Sequence, residues 1–279
     1  MLVDTDGSIW FRQSWLETAM RCNERGRLAL VQPEFAAATS DAALIGTATH
    51  AAIAAVLTAD CDPAQIGEHA HTEALKLCET EQVQWTKWTL PTQLAAHASR
   101  CAQAWVRTIQ PFVTPGGKVE HDFKVPLFQQ RGRTVGLAGT IDYASPDGTL
   151  WDWKTASKKY DQRGKQRTAI QPTVYATAAL HGALDGEWPY RYPILFHFGV
   201  MVRGEATATT QVVDVMRTKA HESWLTDHLR TYVDLADAMG VKRPWPRNED
   251  HYLCNSVWCP WWSMCKGARL AARDDEWKP

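Results

Sequence analysis

Two aspartates and a lysine flank a predicted turn near the middle of the chain. Asp142 precedes the turn at residues 145–148 (Ser-Pro-Asp-Gly), and Asp152 and Lys154 follow it. The flanking runs are apolar and β-prone, so the segment predicts a hairpin. Residues two apart on a strand share a face, which places Asp152 beside Lys154, and Asp142 comes to them across the turn. Two carboxylates and an ammonium group suit a hard divalent cation beside a polarised phosphate. The alternative is a surface hairpin with a cross-strand ion pair.

Four short patterns follow one another in a fixed order over residues 46–175. They are Gly-x-x-x-His ending at His50, Gly-x-x-Asp ending at Asp142, Asp-x-Lys ending at Lys154, and Gln-x-x-x-Tyr ending at Tyr175. This order resembles the RecB-type branch of the PD-(D/E)xK nucleases. A lone histidine on an apolar helix is more often a core residue than a ligand, but the resemblance reverses that expectation for His50.

The resemblance implies a role for each of these side chains. Mg²⁺ or Mn²⁺ would be held by His50, Asp142, Asp152 and the backbone carbonyl of Trp153. Lys154 would stabilise the charge that develops on the phosphate and orient the nucleophile. Gln171 and Tyr175 would position the strand or a water. Glu120 matches an acidic residue that these nucleases often carry on the preceding strand, although a solvated glutamate explains it equally well.

Three cysteines form a compact group near the end of the chain. They are spaced Cys254-x4-Cys259-x5-Cys265 within an aromatic segment at 251–267. Three thiolates leave a tetrahedral zinc or iron–sulfur site one ligand short, and Cys22 is the candidate for the fourth. The set resembles the split four-cysteine cluster of AddB-type and CRISPR-adaptation nucleases, which implies a [4Fe–4S] cluster joining the two ends of the domain. Those nucleases more often have Cys-x2-Cys-x5-Cys, so structural Zn²⁺ stays open as the alternative.

A basic run directly follows the candidate catalytic lysine. Residues 154–167 contain six basic side chains and one acidic one. A charge run is usually a solvated loop, but its position favours a grip on DNA phosphates. The candidate DNA-binding residues are Lys158, Lys159, Arg163, Lys165 and Arg167.

The order of predicted elements indicates how these groups are positioned. Helical patterns over 8–30 and 36–58 precede three strands at 119–128, 134–144 and 149–155, and a helix at 169–180, two strands and a helix at 219–239 follow. We therefore predict a single α/β domain over 1–279, with a mixed central sheet flanked by helices as in the restriction-endonuclease-like core. Residues 63–110 are predicted to form a helical insertion that shapes or covers a channel.

Composition limits the classes of function. The formal net charge of −1 provides no global basic field, so contact with nucleic acid must come from a local patch. No apolar run approaches the ~20 residues that a membrane span needs, and no signal peptide is apparent, so we expect a cytoplasmic protein. Seven cysteines, an odd number, argue against a disulfide framework in that compartment.

Together these observations predict a metal-dependent DNA exonuclease that acts on single strands or DNA ends in recombination, repair or DNA processing. Two alternatives stay open: a CRISPR-adaptation-type trimming nuclease, and a catalytically silent module that binds DNA ends. A helicase, recombinase or integrase is a possible partner in either setting. The presence of Asp142, Asp152 and Lys154 together favours activity over the silent module.

Overall fold

The computed structural model describes residues 1–36, 39–88, 90–184 and 189–267. The helices in these ranges are α1 (Gln13–Arg21), α2 (Asn23–Val31), α3 (Asp41–Leu57), α4 (Ile66–Thr80), α5 (Pro91–Thr108), α6 (Gln162–Thr168), α7 (Gln171–Leu180) and α8 (Lys219–Met239). The strands are β1 (Leu2–Val3), β2 (Ile9–Phe11), β3 (Thr39–Ser40), β4 (Val83–Gln84), β5 (Lys118–Gln130), β6 (Arg133–Ala144), β7 (Leu150–Ala156), β8 (Ile194–Val202) and β9 (Thr209–Arg217). None of the helices in this part of the chain has the length and apolar character needed to cross a bilayer.

The central sheet is mixed, as predicted, with the order β1-β2-β6-β7-β8-β9 and with β5 also paired to β6. On one side β6 pairs with β5 along its whole length. On the other side it pairs in parallel with β2 at Val135–Leu137 and then antiparallel with β7 at Tyr143 and Ala144 only. Among the described residues, no strand pairs on that side with the stretch of β6 between these two partners, 138–142. This gap in the sheet is where Asp142 lies.

Helices cover both faces of the sheet because β7 has apolar side chains on both of its faces. Leu150 belongs to a core with α1, α7 and α8, whereas Trp151 and Trp153 belong to a second core with α3, α4 and α5. The period of two along the strand places Asp152 and Lys154 on the same side as Leu150, towards α7. The parallel pairing of β7 with β8 requires a crossover, which α6 and α7 provide. The α/β class and the flanking helices are therefore as the sequence predicts.

The first predicted helix, over residues 8–30, is wrong in two places. Ile9–Phe11 forms β2, because three apolar residues in a row satisfy a buried strand as well as a helix and here pair with β6. The helix is also interrupted at Cys22, whose extended backbone (φ −162°, ψ 116°) separates α1 from α2. Cys22 therefore lies at a corner between two helices instead of on a helix face.

Candidate active site

Asp142 and Asp152 come together where β6 and β7 stop pairing. The ladder ends with Tyr143 opposite Trp151, so the two aspartates occupy the next pair of opposed positions without hydrogen bonds between their strands. In place of a ladder bond, Asp142 Oδ2 accepts the backbone N–H of Trp153 at 2.8 Å. Asp152 is fully buried and Asp142 is 7% exposed. The end of the hairpin thus holds two carboxylates inside the protein.

Lys154 and Gln171 hold the two oxygens of Asp152. Lys154 Nζ lies 2.5 Å from Asp152 Oδ2, and Gln171 Nε2 donates to Asp152 Oδ1. Gln171 also donates to the hydroxyl of Tyr175, one turn later on α7, at 3.3 Å. Helix α7 begins at Gln171, so Pro172 falls in its first turn, where a missing N–H leaves no hydrogen bond unmade. The start of α7 therefore aims both polar side chains of the Gln-x-x-x-Tyr pattern at Asp152.

Helix α3 brings His50 to the same place. Its Nε2 lies 2.5 Å from the carbonyl oxygen of Trp153. Because a carbonyl can only accept, Nε2 carries the proton, and the neutral ring then presents an unprotonated Nδ1. Nδ1 lies 3.4 Å from Asp142 Oδ2 and 3.9 Å from Glu120 Oε1. Three electron-pair donors therefore face one another with no hydrogen-bond donor between them.

The strand register explains how Glu120 joins this group. The β5–β6 register aligns Val119 with Tyr143 and His121 with Ile141, which puts Glu120 opposite Asp142. Like charges directly opposite on a sheet are destabilising. The backbone of Glu120 is also in the left-handed region (φ 44°), which a non-glycine residue adopts at some cost. Both features are typical of a position kept for function.

Burial is the main cause of the pKa shifts of His50, Glu120 and Asp152. Burial, together with Lys154, lowers the pKa of His50 to about 4, so the ring is neutral near pH 7. Burial and the neighbouring Asp142 raise the pKa of Glu120 to about 7. Burial also raises the pKa of Asp152 to about 6; Lys154 opposes this shift and Asp142 adds to it. A bound cation would allow all three carboxylates to ionise together.

The chemistry of the donors fits a divalent metal ion. Ligand atoms of His50, Glu120 and Asp142 all lie within 4.8 Å of one another. Carboxylate oxygens with one imidazole suit Mg²⁺ and Mn²⁺. Two of the ligands that the sequence indicates, His50 and Asp142, belong to this group. The carbonyl of Trp153 contacts His50. Asp152 lies outside the group, because Lys154 and Gln171 hold its oxygens. Glu120, a candidate catalytic residue in the sequence, takes a place among the ligand atoms. Counting back from the β5–β6 turn would have placed His121 opposite Asp142, because the register shifts by one residue between Pro126 and Phe128.

Two cavities open on either side of the site. His50 and Glu120 line one of about 540 Å³. Gln171 lines the other, of about 810 Å³, between α1, α6 and the end of β7. Of the candidate DNA-binding residues, Lys158, Lys159 and Lys165 line this larger cavity. Arg163 and Arg167 are exposed on α6, away from its lining. The predicted loop thus divides into an irregular part and a short helix that begins after its capping residue, Asp161.

The four cysteines singled out in the sequence meet at one place. Cys22, Cys254, Cys259 and Cys265 line a common small cavity. Hydrogen bonds tie the two ends of the chain together beside it: Trp245 N–H donates to Glu24, and the Asn248 amide donates to the carbonyl of Arg21. Among the described residues, no three of these sulfurs lie within 4.8 Å of one another. A tetrahedral zinc site would hold its sulfurs about 3.8 Å apart, from Zn–S bonds of about 2.3 Å. The spacing is therefore wide for a single zinc ion.

Comparison with protein families gives a match over most of the chain. The model of the PD-(D/E)XK nuclease superfamily matches residues 13–266. No curated protein of similar sequence was found.

Proposed function

Because the chain belongs to the PD-(D/E)XK nuclease superfamily, we propose that it is a metal-dependent deoxyribonuclease that removes nucleotides from single-stranded DNA or DNA ends. The observation that carries this proposal is the meeting of His50 Nδ1, Glu120 and Asp142 beside the Asp152–Lys154 pair. The superfamily supports metal-dependent nuclease chemistry. Preference for ends and single strands is our own inference from the shape of the site.

In this proposal His50, Glu120 and Asp142, with the Trp153 carbonyl, would hold Mg²⁺ or Mn²⁺ beside the Asp152–Lys154 pair. When bound, the metal would supply Lewis-acid polarisation of the scissile phosphate and would lower the pKa of a water. Lys154, whose side chain is 30% exposed, is the cation that reaches the phosphate and stabilises the charge that develops on it.

Gln171 and Tyr175 act on Asp152 and on its surroundings. Gln171 fixes one oxygen of Asp152 and holds the Tyr175 hydroxyl by the same amide. Burial, followed by the charges of Asp152 and Asp142, raises the pKa of Tyr175 far above its ordinary value. Tyr175 is therefore a hydrogen-bond donor and not a base, and it orients either the strand or a water.

The position of the carboxylates supports a substrate with a free or single strand. Asp152 is fully buried and Asp142 nearly so, and the two cavities are the openings beside them. The strands of a duplex must unpair at a free-energy cost to enter such recesses, whereas one flexible strand does not. The larger cavity carries Lys158, Lys159 and Lys165 for its phosphates.

We also propose that Cys22, Cys254, Cys259 and Cys265 hold a [4Fe–4S] cluster that ties the two ends of the domain together. Their shared cavity supports one metal centre bound by all four cysteines. Burial raises the pKa values of Cys259 and Cys265 above that of an ordinary thiol, and a bound metal would favour their thiolates. The role of the cluster would be structural.

One assay tests the nuclease proposal. End-labelled linear DNA, single-stranded and duplex, and closed circular single-stranded DNA are incubated with Mg²⁺, with Mn²⁺ and with chelator. We expect metal-dependent release of short labelled products from linear single strands and little action on circles. Asp152→Asn is the matched inactive control. Cleavage of circles would replace the exonuclease with an endonuclease. No cleavage of any substrate would support the silent end-binding module.

A role in trimming DNA captured during CRISPR adaptation is the second candidate. It is favoured only by the cysteine arrangement, and it requires an integrase partner. Trimming that stops at a defined overhang when an integrase is present, and not otherwise, would distinguish it from general end processing.

A further inference from the structure

Cations gather near the indole ring of Trp88 and near the histidine that packs on it, away from the candidate metal ligands. Lys87 Nζ lies 5.1 Å from the ring centroid, and the guanidinium carbon of Arg203 lies 5.2 Å from it. The ring of His97 packs on the indole at 4.8 Å between centroids. Arg100 contacts His97, with Nη2 3.1 Å from Nδ1. We call these five residues the Trp88 cluster.

The sequence builds the cluster from three separate elements. Trp88 immediately precedes the segment that leads into α5, and the buried carboxylate of Asp41, at the start of α3, accepts its backbone N–H at 3.2 Å. His97 and Arg100 are one turn apart on α5, so they lie on one face. Arg203 follows the last residue of β8. The cluster is therefore a fixed surface that the fold assembles.

The cations of the cluster are not neutralised by ion pairs. In the ranges that the structure describes, neither Lys87, Arg100 nor Arg203 has a carboxylate oxygen within 4.0 Å. Two carboxylates act on the Trp88 cluster from farther away. Asp41 is fully buried beneath the segment, and Glu205, which is exposed, acts on His97. Lys87 is exposed, and Arg100 and Arg203 are half-buried, so solvent reaches all three cations.

His97 adds no charge of its own. Burial and the nearby Arg100, Lys87 and Arg203 lower its pKa to about 4. The ring is neutral near pH 7, and Nδ1 accepts the hydrogen bond from Arg100. The Nε atom of Arg100 is buried and has no hydrogen-bond partner in the described structure. Two cations thus stand over the indole ring and a third contacts the histidine packed on it, an arrangement that a bound anion would stabilise.

Arg203 connects this cluster to the candidate active site. Its backbone N–H donates to the carbonyl of Ala156, at the end of β7, 2.8 Å away. Its side chain lines the larger cavity together with Lys165 and Gln171. A chain of phosphates that leaves the active site through that cavity would therefore pass Arg203 and come to Lys87 and Arg100.

We propose that the Trp88 cluster is a second phosphate-binding surface, which holds the backbone of a nucleic-acid strand several nucleotides away from the cleaved bond. This inference rests on the proposed nuclease function and adds the path that the strand takes. Contacts of this kind are independent of sequence and depend strongly on salt. Trp85, in the same segment, is 40% exposed and offers a ring on which a base can stack.

The test compares how affinity depends on salt in two variants, both made in an Asp152→Asn background with Ca²⁺ present to prevent cleavage. The first variant combines Lys87→Gln, Arg100→Gln and Arg203→Gln. The control removes three exposed cations elsewhere, by Lys76→Gln, Arg131→Gln and Arg230→Gln. Fluorescence anisotropy measures binding of labelled single strands of six and thirty nucleotides between 50 and 200 mM salt.

Removal of three phosphate-binding cations lowers the slope of log K against log salt for a single strand by about 2. For the thirty-nucleotide strand, the first variant should therefore bind more weakly than the parent, and the factor by which it is weaker should be about 20-fold greater at 50 mM than at 200 mM salt, by the same slope. The six-nucleotide strand, which offers fewer phosphates to bind, should lose less. Lys87→Arg with Arg100→Lys and Arg203→Lys keeps the charges and should keep the slope, and equal melting temperatures exclude unfolding as the cause.

The outcomes separate this inference from the function it rests on. If the unmodified protein neither cleaves nor binds DNA, the nuclease proposal fails and this inference fails with it. If it cleaves DNA but the salt slope is unchanged in the first variant, only the second surface is refuted, and an acidic protein becomes the better ligand for the cluster. An equal decrease of the slope in the control would also refute it, because the effect would then be one of net charge.

Discussion

Replacing Cys22 by serine tests whether the two ends of the chain are joined through a metal centre. The change removes one thiolate of the proposed cluster and leaves a side chain of similar size. A bond path through the cluster closes a loop of about 230 residues, from Cys22 to Cys254, and the chain-entropy relation assigns such a cross-link about 5.5 kcal/mol. Unfolding entropy of about 2.1 cal/mol/K per residue converts this to a fall in melting temperature of about 9 °C.

The assay is anaerobic purification followed by metal analysis and calorimetry. The parent protein should be brown, with about four irons and four sulfides per chain. Cys22→Ser should lose the cluster as completely as Cys259→Ser and should melt at the lower temperature. Cys61→Ser is the matched control, because its thiol lies away from the shared cavity and donates a hydrogen bond to the neighbouring Asp62 carbonyl at 3.4 Å. A Cys22→Ser protein that keeps its full metal content would refute the link between the ends. A colourless parent with one zinc per chain would replace the cluster with a zinc site.

Four other outcomes are expected. Three single changes test the catalytic centre: Asp142→Asn, Asp152→Asn and Lys154→Ala. Each removes a charge that acts on the metal or the phosphate, so each should reduce cleavage by about 10²–10³-fold or more without altering the circular dichroism spectrum. Retained activity in two of the three variants would refute the site. Glu120→Gln should weaken Mn²⁺ binding in calorimetry, whereas unchanged affinity would exclude Glu120 as a ligand. Four cations of the basic segment are changed to glutamine together: Lys158, Lys159, Arg163 and Lys165. The slope of log affinity for single strands against log salt should fall by up to about 0.7 for each phosphate that the segment no longer binds. An unchanged slope would mean that the segment is only solvated surface. Asp41→Asn should destabilise the protein by about 2 kcal/mol at pH 7. Burial would raise the pKa of Asp41, but hydrogen bonds from the backbone N–H groups of Lys87 and Thr86 outweigh burial and lower the pKa to about 2. The stabilisation is full above about pH 4 and is lost as the pH falls towards 2, so chemical unfolding should show the difference between the two proteins at pH 7 and not at pH 2.

The sequence alone located most of the residues that meet at the site. The hairpin turn, the spacing of Asp152 and Lys154 and the one-turn spacing of Gln171 and Tyr175 are local, and local spacing determines which side chains share a face of a strand or helix. For the same reason the strands of the hairpin and the helix that begins at Gln171 agree with the structure. Periodicity failed where the apolar run was too short, at Ile9–Phe11, since three residues satisfy a helix and a strand equally.

What the tertiary structure decided is which distant groups face one another. That Glu120 opposes Asp142, and that His50 presents Nδ1 to both of them, depends on strand register and on how α3 packs on β7. The tertiary structure also engages both oxygens of Asp152 with Lys154 and Gln171 instead of leaving them to the ligand group. The Trp88 cluster draws its cations from residues 87, 100 and 203, with no pattern to link them. Sequence periodicity specifies the face of an element, whereas the meeting of elements far apart in the chain follows from packing around a common core, which no local pattern encodes.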